Sequence, residues 1–271
     1  MAVTVFGGDG ASVLTGTSGD DFLFGEGGND VLDGGAGNDF LVGGSADDRV
    51  LGGDGMDSLF GGSNADNTGS GNDTLEGGGE RDLLLGGDGA DVVAGGAGDD
   101  DLNGNTDSDL VDGGDGRDFV RGGQDADTVD GGAGDDWHVN GNLGDDLVRG
   151  GDGRDFVFGG QGDDAIEGGP GDDTLSGDEG DDTATGGPGA DRFRFEPGSG
   201  ADRITDFDVS ADIVAVAADA NGSGITTAAD LLARAANDNQ GNTVIDLGGG
   251  NTVVLEGVAK ATLGTEDFLV V

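Results

Sequence analysis

Nineteen aspartates stand in one phase along this chain, nine residues apart over most of its length: Asp21, Asp30, Asp39, Asp48, Asp57, Asp73, Asp82, Asp91, Asp100, Asp109, Asp118, Asp127, Asp136, Asp146, Asp155, Asp164, Asp173, Asp182 and Asp191. Each closes a glycine-rich stretch, as in Gly34-Gly35-Ala36-Gly37-Asn38-Asp39 and Gly52-Gly53-Asp54-Gly55-Met56-Asp57. Carboxylates beside flexible backbone suit a hard cation. Calcium takes about six to eight oxygens, backbone carbonyls among them, and glycine lets a turn curl its carbonyls inward. Magnesium suits such a site less, since it demands octahedral geometry and keeps its waters. A carboxylate pair can also run glycoside hydrolysis, but the period assigns most of these side chains to cation sites or to solvent and implies no deep pocket. Other catalytic chemistry lacks its parts. The single histidine, His138, rules out a His-Glu-x-x-His zinc helix. It stands at or near the inward position of a bulged strand, where a structural role is expected. The Gly-x-Gly patterns belong to the repeat and carry no dinucleotide signal. No catalytic residue is assigned and no enzyme is expected.

The aspartates are positioned by a unit of nine residues written twenty times between Gly7 and Arg194, Gly-Gly-x-Gly-x-Asp-x-U-x, with U a large apolar residue. Six residues of turn precede three of strand. A turn after every three strand residues gives two strands per 18-residue coil. Coils stacked at about 4.8 Å form two facing parallel sheets, and ten coils reach roughly 48 Å. Position eight, from Leu14 and Leu23 to Ile166 and Leu175, points between the sheets. One aliphatic side chain per strand makes a thin core, so the turns must contribute stability. Alternate turns share an edge, which stacks each aspartate on the one two copies later. Bare carboxylates there repel; a cation between them turns repulsion into coordination. The seventh copy holds an insertion, residues 64–70, expected as a loop. The copy starting at Gly131 holds one extra residue near Trp137-His138-Val139-Asn140, read as a bulge.

The repeat resembles the RTX family, whose units bind calcium in a parallel β-helix, and the run is similar to the β-roll at the C-terminus of serralysin-like secreted proteins. The resemblance implies an all-β, right-handed parallel β-roll over residues 1–194. It also implies a ligand set: carbonyls of positions two and four plus the aspartate of one turn, with carbonyls of positions one and three plus the aspartate of the turn two copies on. One site would then use Gly35, Gly37 and Asp39 with Gly52, Asp54 and Asp57. Another would use Gly151, Gly153 and Asp155 with Gly168, Pro170 and Asp173. Ala46, Glu80, Asp107 and Asp125 occupy position four, where a permissive backbone is expected, so sites touching them are expected to be weaker or missing.

Composition agrees with a cation-dependent chain. It has 64 glycines, and 57 Asp and Glu against 11 Lys and Arg give a net charge of −46. Such a charge opposes compaction and excludes nucleic acid as a partner. Without cysteine there are neither disulfides nor thiolate metal sites. No apolar run approaches the about 20 residues of a membrane span, and Met1 to Phe6 lacks the features of a Sec signal. That first segment is expected to be a capping strand.

Positions seven and nine point outward, and the sheets differ there. Even-numbered copies carry Phe22, Phe24, Phe40, Val42, Phe60, Leu83, Leu85, Phe119, Trp137, Val139, Phe156 and Phe158; odd-numbered ones are mixed, with Asp33, Arg49, Glu76, Asp112 and Arg149 among them. One outer face is therefore an apolar, aromatic stripe, either an interface for a second copy or another protein, or a surface covered by the chain's own ends or left bare.

After the repeats, residues 195–271 read as a cap: strands leaving the roll, a short helix over 226–237, and a hairpin of 242–247 with 251–256 joined by Gly248-Gly249-Gly250. The resemblance implies that this segment closes the roll. It also implies that the tail, Asp267 followed by Phe268 to Val271, is a type I secretion signal read by its export apparatus. Together these readings describe a secreted, calcium-binding β-roll that folds outside the cell, in a structural, adhesive or interaction role. The alternatives are the secretion and stability module of a larger protease, lipase or epimerase, or a lanthanide-binding relative.

Overall fold

The computed structural model describes residues 1–62 and 71–271, so the insertion expected as a loop lies outside the described residues. The chain winds between two parallel sheets, one of 13 strands and one of 14. Strands that follow even-numbered turns, such as Phe22–Gly27, Phe40–Ser45 and Phe119–Gln124, build the first sheet. Those that follow odd-numbered turns, such as Val31–Ala36 and Leu110–Asp115, build the second. Thr4–Gly8 opens the first sheet by pairing with Phe22–Gly27, as expected of the N-terminal segment.

The register puts like on like. In the first sheet Leu23 lies beside Leu41, Leu41 beside Leu59 and Leu59 beside Leu84. In the second, Leu32, Val50, Leu75, Val93 and Val111 follow one another in the same way. From Leu23 to Leu175 these position-eight side chains are at most 1% exposed. The alignment of Leu59 with Leu84 carries the register across the insertion.

Two details differ from expectation. Most strands are six residues long, not three, because the Gly-Gly-x that opens the next turn goes on pairing with the coil beside it, as Gly44 does with Glu26 and Gly53 with Gly35. The extra residue does fall in the stretch Trp137-His138-Val139-Asn140, but the side chain that points inward differs. Val139 takes the inward place, aligned with Val120 and fully buried, while His138 aligns with Phe119 on the outer face. Trp137 is thus the extra residue. Val139 belongs to the core rather than to the outer face, and His138 belongs to the outer face rather than near the core.

Beyond 194 the repeat is lost but the sheets run on. Arg192–Phe195, Ile213–Val216 and Phe268–Val270 extend the first; Ala201–Ile204, Asn251–Leu255, Thr243–Gly248 and Ala235–Asn237 extend the second. The core here is bulkier, with Phe193, Phe195, Phe207, Ile225, Ile245 and Phe268. The hairpin forms as expected, Thr243–Gly248 antiparallel to Asn251–Leu255. The helix is shorter, Ala228–Arg234, entered through a capping box of Thr227 and Asp230. Residues 235–237 leave it because Ala235 is buried as a strand residue beside Ile245. Among the described residues no helix is long and apolar enough to cross a membrane.

Candidate metal centres

The phased aspartates form two ladders, one along each edge of the roll, and all nineteen are at most 4% exposed. From Asp39 onward each carboxylate accepts, through Oδ1, the backbone N–H of the aspartate one coil earlier, while Asp21 and Asp30 accept those of Val3 and Ser12 at 2.6 Å. Asp21 donates to Asp39 at 2.7 Å, Asp39 to Asp57 at 2.7 Å, Asp100 to Asp118 at 2.8 Å and Asp155 to Asp173 at 2.8 Å. The ladders outlast the repeat: Asp202 accepts from Asp182 at 3.1 Å and Asp212 from Asp191 at 2.9 Å. Sequence reasoning missed these two, although Asp202-Arg203-Ile204 and Asp212-Ile213-Val214 keep the Asp-x-U spacing.

The second oxygen is the informative one. Among the described residues, Oδ2 of seventeen of the nineteen, and of Asp202, is buried without a hydrogen-bond partner. A buried carboxylate oxygen left so is costly. Its surroundings are built for it. A β-carbon on Gly34 would run into Oδ2 of Asp39, and one on Gly52 into Oδ2 of Asp57, so position one is kept open by the absence of a side chain. Carbonyls of the turns also meet close packing. Those of Gly35 and Gly37 point forward, where β-carbons on Gly53 and Gly55 would strike them. Those of Gly52 and Asp54 point back, the first 2.7 Å from a β-carbon on Gly34, the second accepting Gly37 N–H at 2.8 Å. Later in the roll, carbonyls of Gly168 and Pro170 accept from Gly151 and Gly153 at 3.0 Å each, and those of Gly151 and Gly153 point forward beneath Gly169 and Gly171. No cluster of three or more His, Cys, Asp or Glu occurs among the described residues, so a cation here must take backbone oxygen as well as carboxylate. Donors of this kind, all oxygen and partly carbonyl, fit calcium.

The sequence pattern decides the family. A profile of the RTX calcium-binding nonapeptide repeat (4 copies) matches residues 6–41, 34–68, 67–102, 103–137, 138–166, 159–193 and 167–204. The chain belongs to this family. Among solved structures it is similar to the AlgE6R3 subunit of the mannuronan C5-epimerase from Azotobacter vinelandii, at 32% identity and a TM-score of 0.37, over 46% of this chain and 77% of that one. It is also similar to the extracellular lipase LipA from Serratia marcescens, at 17% identity and a TM-score of 0.39, over 90% of this chain and 40% of that one. No curated protein matches it.

Most of these RTX turns hold left-handed backbone at positions two and four. Glycine supplies it at most of them, for example Gly35 (φ 100°) and Gly37 (φ 119°). The four departures noted at position four do adopt it: Ala46 (φ 78°), Glu80 (67°), Asp107 (71°) and Asp125 (72°). Four more stand at position two and were not anticipated: Glu26 (75°), Asn105 (87°), Asn142 (79°) and Asp178 (68°). Position five also has an unanticipated role. Its Asp or Asn side chain accepts the N–H of position five one coil later, as Asn38 does from Met56 at 3.0 Å and Asp163 from Asp181 at 2.9 Å.

Along the RTX ladders burial disfavours the charged form of most carboxyls. Burial, and then repulsion from stacked carboxylates, pushes Asp48 and Asp82 up to about 7 and Asp91 and Asp127 up to about 8, despite the N–H each accepts. Asp21 is the contrast. Burial is outweighed there by Val3 N–H, Thr17 N–H and the Thr17 hydroxyl, the last two at 2.5 and 2.9 Å from Oδ2, and its carboxyl is held below the ordinary value. Where threonine replaces the position-two glycine, protein donors satisfy the second oxygen.

The outer face of the first sheet carries the expected aromatic residues in two patches. Phe6, Phe22, Phe24, Phe40 and Phe60 stack coil on coil, with centroids 5.1 to 6.1 Å apart. Phe119, Trp137, His138 and Phe158 form the other, His138 lying 4.4 Å from Phe119 and 5.0 Å from Phe158. Asp101 and Asn103 stand in the rows between them. Phe156 is exposed beside the second patch. Burial, then Arg121, holds the His138 ring below its ordinary value, so it packs as a neutral aromatic.

Proposed function

We propose that this RTX roll binds calcium ions along both edges and folds as it does so, outside the cell that makes it. The observation that carries the reading is the run of buried Oδ2 atoms without partners, many of them packed at the position-one glycine together with the carbonyl of the next coil. Gly35, Gly37 and Asp39 with Gly52, Asp54 and Asp57 would hold one ion; Gly151, Gly153 and Asp155 with Gly168, Pro170 and Asp173 would hold another. Bound there, calcium supplies positive charge to carboxylates that otherwise repel. With one aliphatic residue per strand and a net charge of −46, the fold depends on that neutralisation, and binding energy becomes folding energy. Export of an unfolded chain followed by folding in extracellular calcium suits this dependence. Residues 195–271 would then close the roll, with the tail from Asp267 read by a type I apparatus. The role is structural, adhesive or that of an interaction protein, and no chemical step is assigned.

The test is far-UV circular dichroism during a calcium titration from chelator. A cooperative coil-to-β transition is expected, with a lanthanide competing for the same sites. A chain already fully folded in chelator would overturn the coupling.

A further inference from the structure

Position five on the edge that feeds the first sheet carries, in six successive coils, Arg81, Asp99, Arg117, Asp135, Arg154 and Asp172. All six are exposed. They stack as a row: Arg117 N–H donates to Asp99 at 3.1 Å, Arg154 N–H to Asp135 at 3.0 Å, and the Arg154 guanidinium lies 3.5 Å from Asp135. Among the described residues Arg81 and Arg117 form no ion pair. The row borders the second aromatic patch. Arg81, Asp99 and Arg117 line one cleft with Phe119 and Trp137, of about 510 Å³, and Arg154 and Asp172 line another with Phe156, of about 390 Å³.

The order of charges is its own complement when reversed. Laid antiparallel on itself about an axis between Arg117 and Asp135, the row sets Arg81 against Asp172, Asp99 against Arg154 and Arg117 against Asp135, each twice. That is the signature of a two-fold, isologous contact. Two chains of charge −46 repel over most of their surfaces. This strip, with three cations and three anions, is neutral, whereas no turn on the opposite edge carries a basic residue. Trp137, 50% exposed, sits beside the axis, and Phe156, 44% exposed, flanks it. We propose that a second copy of this chain docks here, antiparallel, with the Arg–Asp row setting register and the Trp137 patch supplying apolar contact. The proposal goes beyond calcium binding and requires only that the roll be folded.

Sedimentation of the folded chain, with Trp137 emission as a local probe, tests it. The wild type is expected to dimerise over micromolar concentrations with a blue shift of its only tryptophan. Arg117→Asp places like charges on both sides of the axis and should weaken association at least about tenfold, as should Asp135→Arg. The double variant Arg117→Asp/Asp135→Arg restores every pair and should regain dimerisation, which a general loss of folding would not allow. Circular dichroism on the same samples reports folding separately, so a failure of calcium coupling and a failure of docking are distinguishable. A folded wild type that stays monomeric, single variants that associate unchanged, or a double variant no better than the singles would each overturn the proposal.

Discussion

The two edges of the roll carry the same aspartate ladder on different backbones. Of eight non-glycine residues held at left-handed φ within the repeats, seven (Glu26, Ala46, Asn105, Asp107, Asp125, Asn142 and Asp178) lie on the edge that feeds the second sheet; the other edge has only Glu80. Each costs on the order of 1 kcal/mol relative to an allowed conformation. The ladder is nonetheless continuous on both edges, with Asp91 donating to Asp109 and Asp109 to Asp127 at 2.8 Å through the most irregular turns. Positions two and four therefore require a conformation, which Asn, Asp and even Ala can be made to adopt. Position one requires the absence of a side chain. It is glycine in all twenty copies, because a β-carbon there would occupy the space of the aspartate or of the next coil's carbonyl.

The largest expected effect treats both edges alike. In chelator, carboxyls raised to about 7 on one edge (Asp82) and about 8 on the other (Asp127) bind more protons folded than in the unfolded chain, where an aspartate titrates near about 3.9. Their contribution to the cation-free fold is thus fully present below about pH 4 and is lost as pH rises through about 7 to 8. Acidifying a chelated sample from about pH 8 to 5 should restore β signal in circular dichroism. With calcium bound the sign reverses, since protons compete for the same oxygens. A chelated chain that stays unfolded down to pH 4 would break the link between burial and charge.

The next effect separates the edges. Gly116→Ala, on the regular edge, puts a β-carbon into the Gly98 carbonyl at φ 154° and should cost about 2–3 kcal/mol. Asp125→Gly, at the same repeat position on the irregular edge, relieves a side chain at φ 72° and removes a charge that raises Asp127. It should gain about 1 kcal/mol, or about 2–4 °C in a calcium-loaded melt. Equal losses from both variants would mean that the edges are equivalent after all.

Much of this was legible beforehand because a strict period reports topology. Nine-residue spacing predicted two parallel sheets, the buried position and which sheet would carry aromatic residues, and the register across the insertion kept that parity. Legibility stopped where backbone hydrogen bonds, not side-chain types, decide. Strand length depended on Gly-Gly-x continuing the parallel ladder, which a turn signal conceals. At Trp137-His138-Val139 either of two residues could have pointed inward, and that place fell to the aliphatic Val139 because the interior admits a β-branched side chain in line with Val120 and Val157. The helix was overestimated because Ala235 and Ala236 favour helix intrinsically, yet they pair with Ile245 and Val244.

The smallest effect concerns the outer charges at position five. Asp135 accepts Arg154 N–H at 3.0 Å and faces its guanidinium; Asp163, on the other edge, accepts Asp181 N–H at 2.9 Å and donates its own N–H to Asp145, with acids above and below. Replacing either by Asn keeps an acceptor for the backbone bond, so only the charge changes. Asp135→Asn loses an exposed ion pair and should lower the melting temperature by about 1 °C at most. Asp163→Asn relieves repulsion and should raise it by about as much. Measured in calcium at a dilution where the chain sediments as a monomer, the two shifts should have opposite signs at low salt and converge on zero as salt screens them. Two shifts of the same sign would show that the net charge of the whole chain, and not the local alternation of arginine and aspartate, governs this surface.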